Sequence, residues 1–136
     1  MIPSFQTSLK IGLTAAVLVA GATAALSQSS ALFSSPARFA YQDGESIYRY
    51  VCAGCHMPEG RGAIGAGAYP SLANNAKLEA GGYPVYLVVN GQKAMPGFAN
   101  QLNDGQVAAV VNYIRSNFGN RYTDQVSADD VKAARQ

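Results

Sequence analysis

The most regular hydrophobic rhythm in the chain lies near its end. Val107, Val110, Val111, Ile114 and Phe118 recur at helical spacing within NDGQVAAVVNYIRSNFG, residues 103–119, and predict one amphipathic helix with an apolar stripe for core packing. Asn103 can cap its first turn, with Gln106 three residues on as in a capping box. Gly119 supplies a stop. Upstream, YQDGESIYRYV (residues 41–51) reads as successive amphipathic helical turns. The run YPVYLVVNG, residues 83–91, reads as a strand from its Val and Tyr content and its Asn-Gly turn. Ser127 followed by Asp130 marks the start of a short last helix.

The longest apolar run is different in kind. IGLTAAVLVAGATAAL, residues 11–26, follows Lys10 and ends in small residues that offer cleavage after Ala24 or after Ser27. A charged start, an apolar core and a small-residue site predict an export signal over residues 1–24. An uncleaved membrane anchor is the rival, although sixteen residues diluted by Gly and Thr fall short of the roughly 20 a spanning helix needs. Residues 25–39 then form a flexible lead, 40–119 one compact domain, and 120–136 a tail with a short helix. Export predicts a periplasmic protein.

Composition narrows the field. At 136 residues the chain holds one domain, and 10 Lys and Arg against 8 Asp and Glu, scattered singly, give no basic stripe for nucleic acid. Many of the 14 glycines fall between Gly60 and Gly97, so the middle is expected to be loop-rich. Lys77 and Lys93 are balanced nearby in sequence by Glu59 and Glu79, so strong electrostatic steering of a partner is not expected.

The chemistry is concentrated in YVCAGCHMPEG, which holds both cysteines, Cys52 and Cys55, and the single histidine, His56. Two cysteines in an exported chain would ordinarily pair as a disulfide. Cys-x-x-Cys-His is instead the signal for covalent haem attachment. Its spacing lets one short turn present two sulfurs to the vinyl groups of one porphyrin while the next residue projects its imidazole at the iron. Small Ala53 and Gly54 let the backbone lie close to the ring edge. A thiol–disulfide site is an alternative, but it expects a βαβ setting. Zinc is disfavoured because no second cluster completes a ligand set.

Haem iron has a second axial position, and no other histidine exists to fill it. Met57 adjoins His56 and cannot reach around the ring, and Met1 belongs to the signal. Elimination leaves Met95, in NGQKAMPGF, where Pro96 and Gly97 make a stiff turn. His/Met ligation raises the reduction potential. The plain alternative is that Met95 fills a gap in the core.

These residues resemble a class I c-type cytochrome over about Ala40 to Phe118. The resemblance implies an all-α fold of three to five helices wrapped around one covalently bound haem c. Gly44 and Tyr48 match the glycine and aromatic that precede the motif, and Tyr113 the aromatic they pack against. Pro70 and Leu72 match the downstream proline and leucine of the haem pocket, the Pro70 carbonyl accepting a hydrogen bond from His56 Nδ1. The family has a short helix over 83–91, so the resemblance overrides the strand reading there, and Pro84 suits a first helical turn. Tyr69, Leu72, Val85, Leu87, Val88, Phe98 and Leu102 are candidates for the haem lining, and Arg61 and Tyr86 for the propionates.

With His56 and Met95 both on iron, no position stays open for a substrate. The expectation is a one-electron carrier or electron-transfer subunit and not an enzyme by itself. The alternative is a haem enzyme or ligand sensor whose sixth ligand is displaced. The tail, FGNRYTDQVSADDVKAARQ, resembles the ends of cytochrome c subunits of periplasmic sugar- and alcohol-oxidising dehydrogenases. That implies a quinone- or flavin-dependent dehydrogenase as donor and an oxidase or quinone-linked complex as acceptor. Contact with the membrane would be indirect unless the leader stays uncleaved.

Overall fold

The computed structural model describes residues 38–65 and 67–135. The export signal, its cleavage sites and nearly all of the 25–39 lead lie outside the described residues. Among the described residues the elements run α1 (Gly44–Ile47), a π-helical turn (Tyr48–Cys52), α2 (Ala53–His56), β1 (Ala63–Ile64), β2 (Ala68–Tyr69), a 3-10 turn (Ala76–Leu78), α3 (Gly82–Asn90), α4 (Asp104–Ser116) and α5 (Ala128–Ala134). The first three are continuous, so four main helical stretches make up a helical fold. No described helix is long and apolar enough to cross a membrane.

Local chemistry starts and stops these helices. Asp43 caps α1, its carboxylate accepting from Ser46 N at 2.8 Å. Asn103 and Gln106 form the full reciprocal box at α4, with both bonds at 2.9 Å, and Ser127 and Asp130 repeat the device at α5. Residues 83–91 lie almost wholly within α3. Pro84 sits in its first turn, where a missing N–H costs nothing, and tertiary burial of Val85, Val88 and Val89 outweighs their β-propensity. The α4 stop differs from the sequence expectation. The helix ends at Ser116, Asn117 turns extended, and Gly119 lies three residues beyond at φ +83°.

The core lies where the helical run 44–56 crosses α4. A β-carbon on Gly44 would collide with the Ala109 carbonyl oxygen and come within 2.7 Å of Tyr113 Cβ, so only glycine permits this approach. Val107, Val110, Val111 and Ile114 are all buried. Each such valine contributes about 1.5–3 kcal/mol of hydrophobic stabilisation before entropy is counted. Phe118, beyond the helix, completes an aromatic cluster with Tyr48 and Tyr113, at centroid distances of 4.6 and 5.6 Å.

Residues 120–135 of the tail pack as part of the same unit. Val131 of α5 is fully buried between α3 and α4. Arg115 is 1% exposed, yet its guanidinium is satisfied by Leu78 O (2.8 Å), Glu79 O (2.7 Å), Asp124 O (2.5 Å) and both Asp124 carboxylate oxygens (2.7 Å each). Arg135 closes the end of α5 onto Asp104 at 2.6 Å and onto the carbonyls of Ala99 and Leu102.

Candidate functional site

The helical run delivers three of the predicted site residues at its last turns. Cys52 is half-buried, Cys55 exposed, and the two are not joined in a disulfide. The helix ends directly after His56, because Met57 adopts φ 63°, ψ 154°. Four bonds hold this turn. Met57 N donates to Ala53 O (3.0 Å), Gly60 N to Met57 O (3.0 Å), Gly62 N to His56 O (3.0 Å), and the buried Tyr48 hydroxyl to Met57 O (2.7 Å). Burial pushes the Tyr48 phenol up to about 12, so it remains a donor throughout the physiological range.

His56 Nδ1 lies 3.0 Å from the Pro70 carbonyl oxygen. A carbonyl can only accept, so Nδ1 carries the hydrogen and Nε2 keeps the lone pair, the arrangement a metal-ligating imidazole needs. Pro70 is brought there by the hairpin β1–β2, paired Ala63 to Tyr69 and Ile64 to Ala68. Leu72 N and Ala73 N then both donate to Gly60 O, at 2.7 and 3.0 Å, tying the segment after Pro70 to the turn after His56.

Across from these residues runs the loop 91–98. Gly91 ends α3 at φ 76°, where a β-carbon would press on Met95 O and Gly97 N at 2.6 Å. Gln92 and Met95 exchange backbone bonds of 3.0 and 2.9 Å, and Phe98 N donates to Val88 O at 2.8 Å. This pinches the loop so that Met95 is half-buried.

Between the two sides lies a cavity of about 940 Å³, toward the upper end of the roughly 300–1,000 Å³ usual for cofactor sites. Cys52, Cys55, His56, Pro70 and Met95 all line it. Among the described residues its charged wall side chains are Arg61 and Lys93, both cationic. Of the further candidates, Tyr69 and Phe98 are on the wall. Leu72 is not: it packs on the core, because its segment is bonded back to Gly60. Val85, Val88 and Leu102 belong to the buried core, and Leu87 is likewise off the wall. Tyr86 points to solvent at 56% exposure, and Lys77 lies beside Tyr83, away from the cavity.

Sequence reasoning missed the hairpin that carries Ala63, Ile64 and Ala68, with Ile64 95% exposed beside the cavity. Two-residue strands are too short for a period-2 signal, and only the glycines of GAIGAGAY hint at a turn. It also missed the Tyr48 hydroxyl, since packing explains an aromatic at that position without it.

The arrangement disfavours the rival chemistries. Burial, with Cys55 beside it, pushes the Cys52 thiol up to about 12, whereas thiol–disulfide catalysis needs a depressed value. Among the described residues no group of three or more His, Cys, Asp and Glu is placed to hold a metal ion by itself. Two thiols, an imidazole with a free Nε2 and a thioether around one largely apolar cavity fit a covalently attached metalloporphyrin.

Comparison with known proteins points the same way. The family model described as "Cytochrome C oxidase, cbb3-type, subunit III" matches residues 39–114. The cytochrome c subunit of an alcohol dehydrogenase (quinone) from Gluconobacter oxydans is 35% identical over 105 residues, 68% of this chain and 22% of that protein. The fructose dehydrogenase cytochrome subunit of Gluconobacter japonicus is 34% identical over 108 residues, with the same coverage of each. The chain thus spans about a fifth of the length of these dehydrogenase subunits. A cytochrome c6 from Diacronema lutheri is 33% identical over 81 residues, 57% of this chain and 95% of that protein.

Proposed function

The chain belongs to the c-type cytochrome family, and from that premise we propose that it is a periplasmic monohaem carrier passing single electrons from a quinone- or flavin-dependent dehydrogenase to an oxidase or quinone-linked acceptor. Its cofactor is covalently bound haem c, which supplies a one-electron Fe(III)/Fe(II) couple. Cys52 and Cys55 would hold it through two thioethers. His56 Nε2 and the Met95 sulfur would be the side-chain ligands that hold its iron. Pro70 O holds the His56 tautomer and makes the imidazole a better donor. Arg61 and Lys93 balance the propionate charge. The apolar wall keeps water from the metal and so favours the less charged ferrous centre.

The observation that carries this reading is the convergence of His56 and Met95 on the cavity that both thiols line. With two side chains holding the iron, no position would stay open for a substrate, and electron transfer would be the remaining chemistry. The dehydrogenase donor is supported by the names of the matched relatives, and the periplasm by the leader over residues 1–24.

The test is the visible spectrum of the exported protein, oxidised and reduced, before and after denaturation. Haem retained by the unfolded chain, sharp low-spin bands on reduction and a weak far-red sulfur–iron band on oxidation are expected. Covalent haem without the far-red band would remove Met95 from the iron and return the chain to ligand-binding chemistry. Absence of haem from a host able to attach it would end the reading.

A further inference from the structure

Met57 is the residue through which the attachment helix ends, and it does so in a conformation that only glycine adopts without strain. Its φ of 63° with ψ of 154° is essentially glycine territory. A β-carbon there persists only where the surroundings over-determine the turn. One of those surroundings is not backbone. The Tyr48 hydroxyl, nine residues earlier and buried beneath the aromatic cluster, donates to the Met57 carbonyl oxygen at 2.7 Å. Gly60 N donates to the same oxygen at 3.0 Å. Relaxation of Met57 to ordinary φ would rotate this carbonyl away from both donors and swing the end of the helix, which is His56.

The hydroxyl is specific to this role. Tyr113 stands in the same cluster, 5.7 Å from the Tyr48 ring, and among the described residues its hydroxyl makes no hydrogen bond. Packing accounts for an aromatic ring at both positions, and a hydrogen bond accounts for the phenol at 48 alone. The π-helical turn Tyr48–Cys52 begins at this residue, so the same side chain sits where the helix widens and reaches across to where it stops.

We propose that Tyr48 is a positioning residue for the axial histidine: its hydroxyl latches the strained Met57 turn and thereby holds the His56 ring against the Pro70 carbonyl. The proposal rests on His56 being the iron ligand. Two readouts follow the latch in the haem-loaded, reduced protein by NMR, the solvent exchange of the His56 Nδ1 proton and that of the Gly60 amide. Tyr48→Phe keeps the ring and removes the bond. Both protons are expected to exchange about three- to tenfold faster, the equilibrium effect of losing one neutral hydrogen bond. In a Met57→Gly background, where the turn is unstrained, the same Tyr48→Phe change is expected to have no effect on either proton. Tyr113→Phe is expected to leave both unchanged.

Unaltered exchange in Tyr48→Phe would overturn the proposal. So would equal acceleration in both backgrounds, since the hydroxyl would then act through general stability and not through the strained turn. Should Tyr48→Phe alone fail to yield folded protein, recovery by adding Met57→Gly supports the latch, and failure of the double variant sinks it. The Gly60 amide reports on the turn whether or not haem is bound, so loss of the parent reading, seen as wild-type protein without covalent haem, is distinguishable from loss of this one.

Discussion

Behind the two cysteines, α1 closes on α4 so tightly that Gly44 has no room for a methyl group, and the α4 valines are sealed from water. In front of them, the cavity wall runs through two-residue strands and turns, with Lys93 at φ 54° and Ile64 95% exposed. The rear is stabilised by its own side chains. The front takes its shape from individual hydrogen bonds, such as His56 to Pro70 and Gln92 to Met95. A change in the rear should therefore cost stability and spare the chemistry, while a change in the front should do the reverse.

The sharpest way to break that division is Met95→Ala. Haem is expected to stay attached, the far-red band to vanish completely and the iron to become high-spin and open to added imidazole. Far-UV circular dichroism should change little. A low-spin spectrum with the far-red band intact would refute the role of Met95, and collapse of the helical signal would show that the front supports the rear.

Arg115→Met tests the rear. The guanidinium satisfies the carbonyls of Leu78, Glu79 and Asp124 besides the Asp124 carboxylate, while the side chain itself is buried. Its removal should cost about 3 kcal/mol, from charged hydrogen bonds lost and the buried Leu78 carbonyl left unpaired. The denaturation midpoint should fall with the reduced spectrum unchanged. A shifted spectrum would mean that the tail communicates with the haem.

The smallest effect is acidification of the tail contact. Hydrogen bonding from Arg115 holds the Asp124 carboxyl below its ordinary 3.8. A depressed folded value means that the contribution is fully present above the unfolded value and is lost as pH falls through the lower folded one. Asp124 is 72% exposed, so solvent screening keeps the loss small. Tyr122, whose ring lies 5.6 Å from the Arg115 guanidinium, is the NMR reporter. It should shift below pH 3.8 in the native protein and stay flat in Asp124→Asn.

How much of this was legible depends on the range of the forces involved. The capping boxes of α4 and α5 join residues three apart, and the Cys52, Cys55 and His56 cluster lies within five residues. Such arrangements are local, and so sequence spacing alone specifies them. Residues 83–91 show where local preference misleads. Their Val and Tyr content suits a strand, and only resemblance, then burial against α4 and α5, favours the helix.

The amino-acid sequence by itself determined the cluster of Cys52, Cys55 and His56 and the starts of α4 and α5, and it left Met95 as the methionine able to face the histidine. It could not determine which residues line the cavity. Leu72 belongs to the core because Gly60, twelve positions earlier, accepts its N–H, and Arg115 is buried because carbonyls from residues 78, 79 and 124 converge on it. Those partners are far apart along the chain and meet only after the helices have packed. Long-range hydrogen bonds leave no periodic trace in a sequence, and so the tertiary structure alone decided them.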